Sequence, residues 1–194
     1  MSPSGGSLRP WRDVARRLCL QRRVLTVAEV HRRRRDGVED DFVILESPEW
    51  VNVVALTPRN EVVLIRQWRH GIGEVALEIP GGMVDPGESP AQAAVRELSE
   101  ETGYRAPHWE PLAWVHPNPA LFTNRCHTFL ARNAVPADAP HPDPHEEIEV
   151  LTLPLDELPA LVRRGDISHS LVVSALCHLW LRLGWPLVPE EDLL

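Results

Sequence analysis

Three carboxylates, Glu97, Glu100 and Glu101, stand within five residues of one another, with Arg96 beside them and Glu88 a little upstream. On a helix, Glu97 and Glu101 fall on one face, one turn and about 6 Å apart along the axis, with Glu100 alongside. Like charges that close repel, and one arginine does not balance them. A hard divalent cation such as Mg²⁺ or Mn²⁺, which takes oxygen ligands, would. The alternative is a solvated acidic helix face.

The elements around this cluster can be read from the same segment. Ser89 is a good N-cap, Pro90 fits the first helical position, and Gln92 completes a capping box. Gly103 supplies the stop, because it can adopt the left-handed conformation. Ala91, Ala94, Val95, Leu98 and Thr102 recur at helical intervals, so that side is expected to pack on a sheet, with Glu97, Glu100 and Glu101 opposite.

Upstream, VLTVAEVHRR reads as an exposed strand, followed by a turn at Asp36-Gly37 and a second strand over Phe42 to Glu46, together a hairpin. WVNVVALTP and EVVLIRQWR read as two strands joined at Arg59-Asn60, and VALEIPGG as a strand ending in glycines. Downstream, WEPLAWVHP, NRCHTFLAR and EIEVLTLPL are three more, with an irregular Pro-rich loop over Val135 to His145. Helices are expected over Asp156 to Arg163 and Ser168 to Leu183, the second apolar enough to be buried. His169, in the first turn of that helix, reads as a polar cap. Residues 1 to 10 are rich in Ser, Gly and Pro and should be loosely held. Strands interleaved with one capped central helix and two late helices indicate a mixed α/β sandwich.

Gly82 to Tyr104 resembles the signature of the Nudix hydrolase family, G-x5-E-x7-R-E-U-x-E-E-x-G-U with U a bulky apolar residue. Gly82, Glu88, Arg96, Glu97, Leu98, Glu100, Glu101, Gly103 and Tyr104 occupy every specified position. The resemblance implies an α/β/α sandwich with a mixed β-sheet, here carrying an N-terminal β-hairpin extension. Residues 1–46 would form the tail and extension and 47–194 the hydrolase domain. It also implies Mg²⁺-dependent (or Mn²⁺-dependent) hydrolysis of a nucleoside diphosphate linked to another moiety. Glu97 and Glu101 would be direct ligands, Glu100 a direct or water-mediated one, and Gly81 a ligand through its carbonyl. Arg96 would orient the carboxylates, and Glu88 would hold the helix end and nearby waters.

EVVLIRQWRHG followed by LEIPGGMVDPGES resembles the branch that hydrolyses ADP-ribose and nucleoside diphosphate sugars. In that branch Arg69 would contact phosphate or terminal ribose and Glu78 would help recognise the nucleoside. The general base would come from a late loop, where PHEEIEV offers Glu146, preferred for its position at the loop mouth, and Glu147; Glu100 is the alternative. Trp50 or Phe122 could stack on the base. The N-terminal strands could be exchanged across the two-fold axis of a homodimer. The same-class alternative is hydrolysis of canonical or oxidised nucleoside triphosphates, and the alternative in another class is a non-catalytic nucleotide-binding protein.

Composition narrows the classes further. The chain has 194 residues, the size of one domain with terminal elaborations. Its net charge of −8 argues against a general nucleic-acid binder, although all 20 basic residues are Arg and ten of them lie in the first 35 residues. Cys19, Cys126 and Cys177 lack metal-ligand spacing and fit a reducing, cytoplasmic setting. No secretory signal is visible, and the apolar stretch near the C-terminus is interrupted by His178, Arg182, Gly184 and Pro186 before it could span a membrane. The expected partner is therefore a small nucleotide, without nucleic acid or membrane.

Overall fold

A computed structural model of the chain describes residues 10–142 and 145–184. Residues 1 to 9 of the tail expected over 1 to 10, and Asp143-Pro144 of the Pro-rich loop, lie outside the described residues. Two compact units emerge.

The first unit is an antiparallel sheet of β1 (Trp11–Gln21), β2 (Thr26–Arg34) and β3 (Glu39–Glu46), joined by residues 116–124. The expected hairpin is β2–β3, and its turn uses Gly37 at a φ of +90°, which a side chain would strain. Two features differ from the sequence reading. β2 is not fully exposed, because alternation buries Ala28 and Val30. A third strand, β1, pairs with β2 although WRDVARRLCLQ has little apolar alternation and is exposed along most of its length. Its backbone ladder to β2 runs from Trp11 opposite Arg34 to Gln21 opposite Thr26, and exposed ion pairs lie across it: Arg32 reaches Asp13 at 2.8 Å and Arg17 reaches Glu29 at 2.9 Å. Leu45 of β3 exchanges backbone hydrogen bonds with Leu121 and Thr123.

The second unit is the sandwich. β4 (Trp50–Leu56), β5 (Glu61–Arg69), β6 (Glu74–Glu78), β7 (Gly81–Met83), β9 (His108–Val115), β10 (Cys126–Arg132) and β12 (Ile148–Pro154) form one mixed sheet. β10 runs parallel to β4, and the other pairings are antiparallel. The short strands β8 (Tyr104–Arg105) and β11 (Val135–Pro136) pair separately.

Strand parity explains the layering. Val51, Val53, Ala55 and Val63 bury one face against Ala93, Ala94 and Leu98 of helix α1 (Pro90–Thr102). Val54, Leu56, Val62 and Leu64 bury the other against Leu158 of α2 (Leu158–Arg164) and Val172, Ala175, Leu176 and Leu179 of α3 (Ser170–Arg182). A strand covered on both faces reads as a continuous apolar run, as WVNVVAL does apart from Asn52. The segment expected to be a helix from Asp156 begins with a 3₁₀ turn, Leu155–Glu157, before α2.

One departure from regular pairing makes room for a site. β4 and β5 are bonded at Leu56 and Val62, but beyond that β6 pairs with β5 from Ile65 to Arg69 while β7 pairs with β4 from Trp50 to Asn52. The two central strands thus diverge, and the lips of the opening carry Arg69 and Glu78 on one side and Trp50 and Gly81 on the other.

Candidate active site

Helix α1 delivers the carboxylates and is capped as its sequence predicts. Ser89 and Gln92 make the reciprocal capping box, and Gly103 ends the helix at a φ of +71°. Its packing face is rotated from the one read from apolar spacing. Ala91 and Val95 are exposed, while Ala93, Ala94, Leu98, Thr102 and Glu101 are buried. Glu101 is only 3% exposed. The carboxylates therefore stand at the edge of the helix–sheet interface, not on the face opposite it. A periodicity count of apolar residues cannot find a face that includes buried acids.

Two glycines let the strand approach them. The Gly81 N–H donates to Glu101 Oε2 at 2.8 Å. A Cβ on Gly82 would collide with the Glu97 carboxylate, its Cδ lying 2.6 Å away, and a Cβ on Gly81 would collide with the Val51 carbonyl. Burial raises the Glu97 pKa to about 7, with the charges of Glu100 and Glu146 adding to the rise and Arg96 opposing it. Burial likewise pushes Glu101 well above the ordinary carboxylate range, with help from Glu97 and Glu146.

Arg96 is the hub of the acidic cluster. It donates to Glu88 at 3.1 and 3.0 Å, to Glu97 at 2.9 Å, to Glu100 at 3.0 Å and to the Met83 carbonyl at 2.9 Å. Glu88 also accepts from the Asp85 N–H at 3.2 Å, so it fastens the loop before the helix. Among the described residues, no three His, Cys, Asp or Glu side chains converge as a formed metal site. Glu97, partly buried, and Glu101, buried, nevertheless suit a hard divalent cation: they are one helical turn apart, and the neighbouring guanidinium of Arg96 is shared among Glu88, Glu97 and Glu100 without bonding Glu101.

Glu146 lies in the exposed segment just before β12, and its charge acts on Glu97, Glu101 and Arg69 alike. The fold thus brings it toward the acidic cluster. Glu147 is also exposed beside it.

The opening between the diverging strands forms a cavity of about 560 Å³, lined by Trp50, Asn52, Arg69, Glu78, Gly81, Gly82 and His169 among others. Ile72, Met83 and Leu171 give it an apolar wall. Arg69 and Glu78 form a bidentate pair, both bonds 2.8 Å. Burial alone would raise the Glu78 pKa, but hydrogen bonds from Arg69 and His169 outweigh it and hold the carboxyl at about 2. Phe122 does not line this cavity; it belongs to the first unit, where it bridges Leu45.

Two lining residues escaped the sequence reading. Asn52 donates to the Leu171 carbonyl at 3.2 Å, and its signal was a lone amide in a buried strand. His169 occupies the N-cap position of α3 but makes no side-chain cap; its Nδ1 lies 2.8 Å from Glu78 Oε2 instead. Nothing in the sequence links residues 91 positions apart.

Comparison with known proteins agrees with this architecture. The NUDIX domain matches residues 48–175. The chain is 31% identical to a methanol dehydrogenase activator of Bacillus methanolicus and 29% identical to an ADP-ribose pyrophosphatase of Bacillus subtilis. Both alignments run over 140 residues and cover 72% of this chain and 76% of the relative. The crystal structure of an ADP compounds hydrolase superposes with a TM-score of 0.81 at 26% identity, covering 95% of this chain and all of that one. With its signature complete from β7 through α1 to β8 and its sandwich shared with that structure, the chain belongs to the Nudix hydrolase family.

Proposed function

We propose that the protein hydrolyses the pyrophosphate linkage of ADP-ribose or a related nucleoside diphosphate sugar, releasing a nucleoside monophosphate and a sugar phosphate, with Mg²⁺ or Mn²⁺ as cofactor. The observation that carries this reading is the adjacency of two chemistries. The carboxylates of Glu97, partly buried, and Glu101, buried, abut Gly82 and Gly81, and those same glycines line the cavity that holds Arg69.

The chain's own groups divide the work. Glu97 and Glu101 would hold the cation, with the Gly81 carbonyl as a further oxygen. When bound, the cation screens the diphosphate charge and lowers the pKa of an attacking water. Arg96 keeps Glu97 and Glu100 in place. Arg69, already fixed by Glu78, presents its remaining N–H groups to phosphate or ribose oxygens. Glu146 accepts the proton from water, being an exposed carboxylate that still acts electrostatically on Glu97 and Glu101. Trp50 offers a ring wall for the base. An apolar wall with a few convergent polar groups is typical of small-ligand sites.

A homodimer is part of the same proposal, with residues 1–46 as the assembly element. Val14, Leu18 and Leu20 of β1 are exposed large apolar residues on an edge strand, which a second copy would cover. Light scattering should give twice the chain mass, and a monomer at working concentration would remove this part. No helix among the described residues is long and apolar enough to cross a membrane.

The deciding assay supplies ADP-ribose, ADP-glucose, GDP-mannose and dGTP with Mg²⁺ and identifies the products. Nucleoside monophosphate plus sugar phosphate is expected. Inorganic pyrophosphate from dGTP, with the sugar nucleotides intact, would point to a triphosphate hydrolase instead.

A further inference from the structure

Glu78 is the most fully engaged acid of the cavity. Oε1 accepts from Arg69 Nε, and Oε2 accepts from both Arg69 Nη2 and His169 Nδ1, each at 2.8 Å. The residue is 2% exposed. A carboxylate so enclosed has little left to offer a ligand directly. It does, however, set the state of its neighbour. An ionised carboxylate only accepts hydrogen bonds, so the facing Nδ1 must carry the proton.

With that proton on Nδ1, Nε2 of the ring in its neutral form is an acceptor. Among the described residues it has no hydrogen-bond partner, on a side chain that is 36% exposed and lines the cavity. The helix does not claim the ring either, since His169 sits at the N-cap of α3 without capping it. Arg69, across the same carboxylate, can only donate. The two partners of Glu78 thus present opposite hydrogen-bonding characters to whatever fills the cavity.

We propose that His169 is a specificity-determining residue: held through Nδ1 by Glu78, it accepts at Nε2 a hydrogen bond from a hydroxyl or amino group of the substrate portion in the cavity. This rests on the reading of the protein as a nucleoside diphosphate sugar hydrolase. A merely structural His169 would instead serve only to hydrogen-bond Glu78, which Arg69 already does with two bonds.

His169→Asn separates the two roles, because the Asn amide can replace the Nδ1 donor to Glu78 but has nothing at the place of Nε2. With ADP-ribose and saturating Mg²⁺, KM should rise about 10-fold while kcat stays within about twofold, the pattern of a contact made equally in ground and transition states. An unchanged KM, or a loss confined to kcat, would overturn the proposal. A measurement on the wild type needs no variant to fold. The ¹⁵N resonance of His169 Nε2 should move when ADP-ribose is added without divalent cation, and a resonance unmoved at saturation overturns the contact. If the wild type turns over no nucleoside diphosphate sugar, the functional reading falls and takes this inference with it. Normal turnover with an unmoved resonance overturns the inference alone.

Discussion

Gly81 and Gly82 are adjacent, yet replacing each with Ala should have opposite consequences. At Gly82 the added Cβ would meet the Glu97 carboxyl, with Cδ at 2.6 Å and Oε2 at 2.8 Å. Ordinary carbon contacts begin near 3.5 Å, so the carboxyl must retreat by about 1 Å. Glu97 can do this by changing side-chain torsions, so stability should fall by less than about 1 kcal/mol. Catalysis should not tolerate it: a misplacement of that size in a ligand group costs on the order of 100-fold in rate. At Gly81 the Cβ would strike the Val51 carbonyl and come within 2.9 Å of Asn52 Oδ1, on the strand with which Gly81 pairs. Backbone in a paired strand has no such freedom, and about 3 kcal/mol of stability should be lost. Urea unfolding monitored by circular dichroism, alongside initial rates of ADP-ribose hydrolysis, measures both. A Gly82→Ala enzyme within threefold of the wild-type rate, or a Gly81→Ala protein as stable as wild type, would refute the steric reasoning.

Other consequences concern charge and burial. Arg69→Ala leaves the buried Glu78 carboxylate with His169 alone and should cost about 2 kcal/mol, and Arg69→Lys should restore only part of it because an ammonium cannot bond both oxygens in parallel; urea melts decide. The Glu97 pKa is about 7 in the folded protein against an ordinary 4.5, so ionisation is disfavoured by folding. Without divalent cation, the protein should therefore lose stability as pH rises from about 4.5 to 7, by no more than about 3 kcal/mol, and Glu97→Gln should flatten that slope in melts across the window. Burial pushes the Cys126 thiol up to about 12, whereas Cys19 is exposed, so iodoacetamide at pH 8 should label Cys19 in the native protein and Cys126 only after unfolding, as read by peptide mass spectrometry.

Local signals were the legible part of this protein. The capping box at Ser89 and Gln92, the stop at Gly103 and the turns at Gly37 and Asn60 each depend on a few neighbouring residues, and each forms as the sequence predicts. The acidic cluster was legible as a spacing, but its burial was not, because Glu101 owes its enclosure to the Gly81 strand 20 residues away. β1 escaped notice because it joins β2 through a backbone ladder with exposed ion pairs across it, and its side chains show little apolar alternation. The Arg69–Glu78–His169 chain is a product of topology. It exists because β5 and β6 pair beside the N-terminus of α3, and His169 taken alone reads as a helix cap.

The central claim is that Glu97 and Glu101 on α1 hold the cation that makes hydrolysis possible. Initial rates of ADP-ribose hydrolysis, measured over a Mg²⁺ titration for wild type and Glu101→Gln, test it most directly. The wild type should rise from no activity under exhaustive chelation to a plateau, while the folded Glu101→Gln protein should remain at least ~100-fold slower across the titration. Wild-type turnover that survives chelation, or a Glu101→Gln enzyme as fast as wild type at limiting Mg²⁺, would contradict the account.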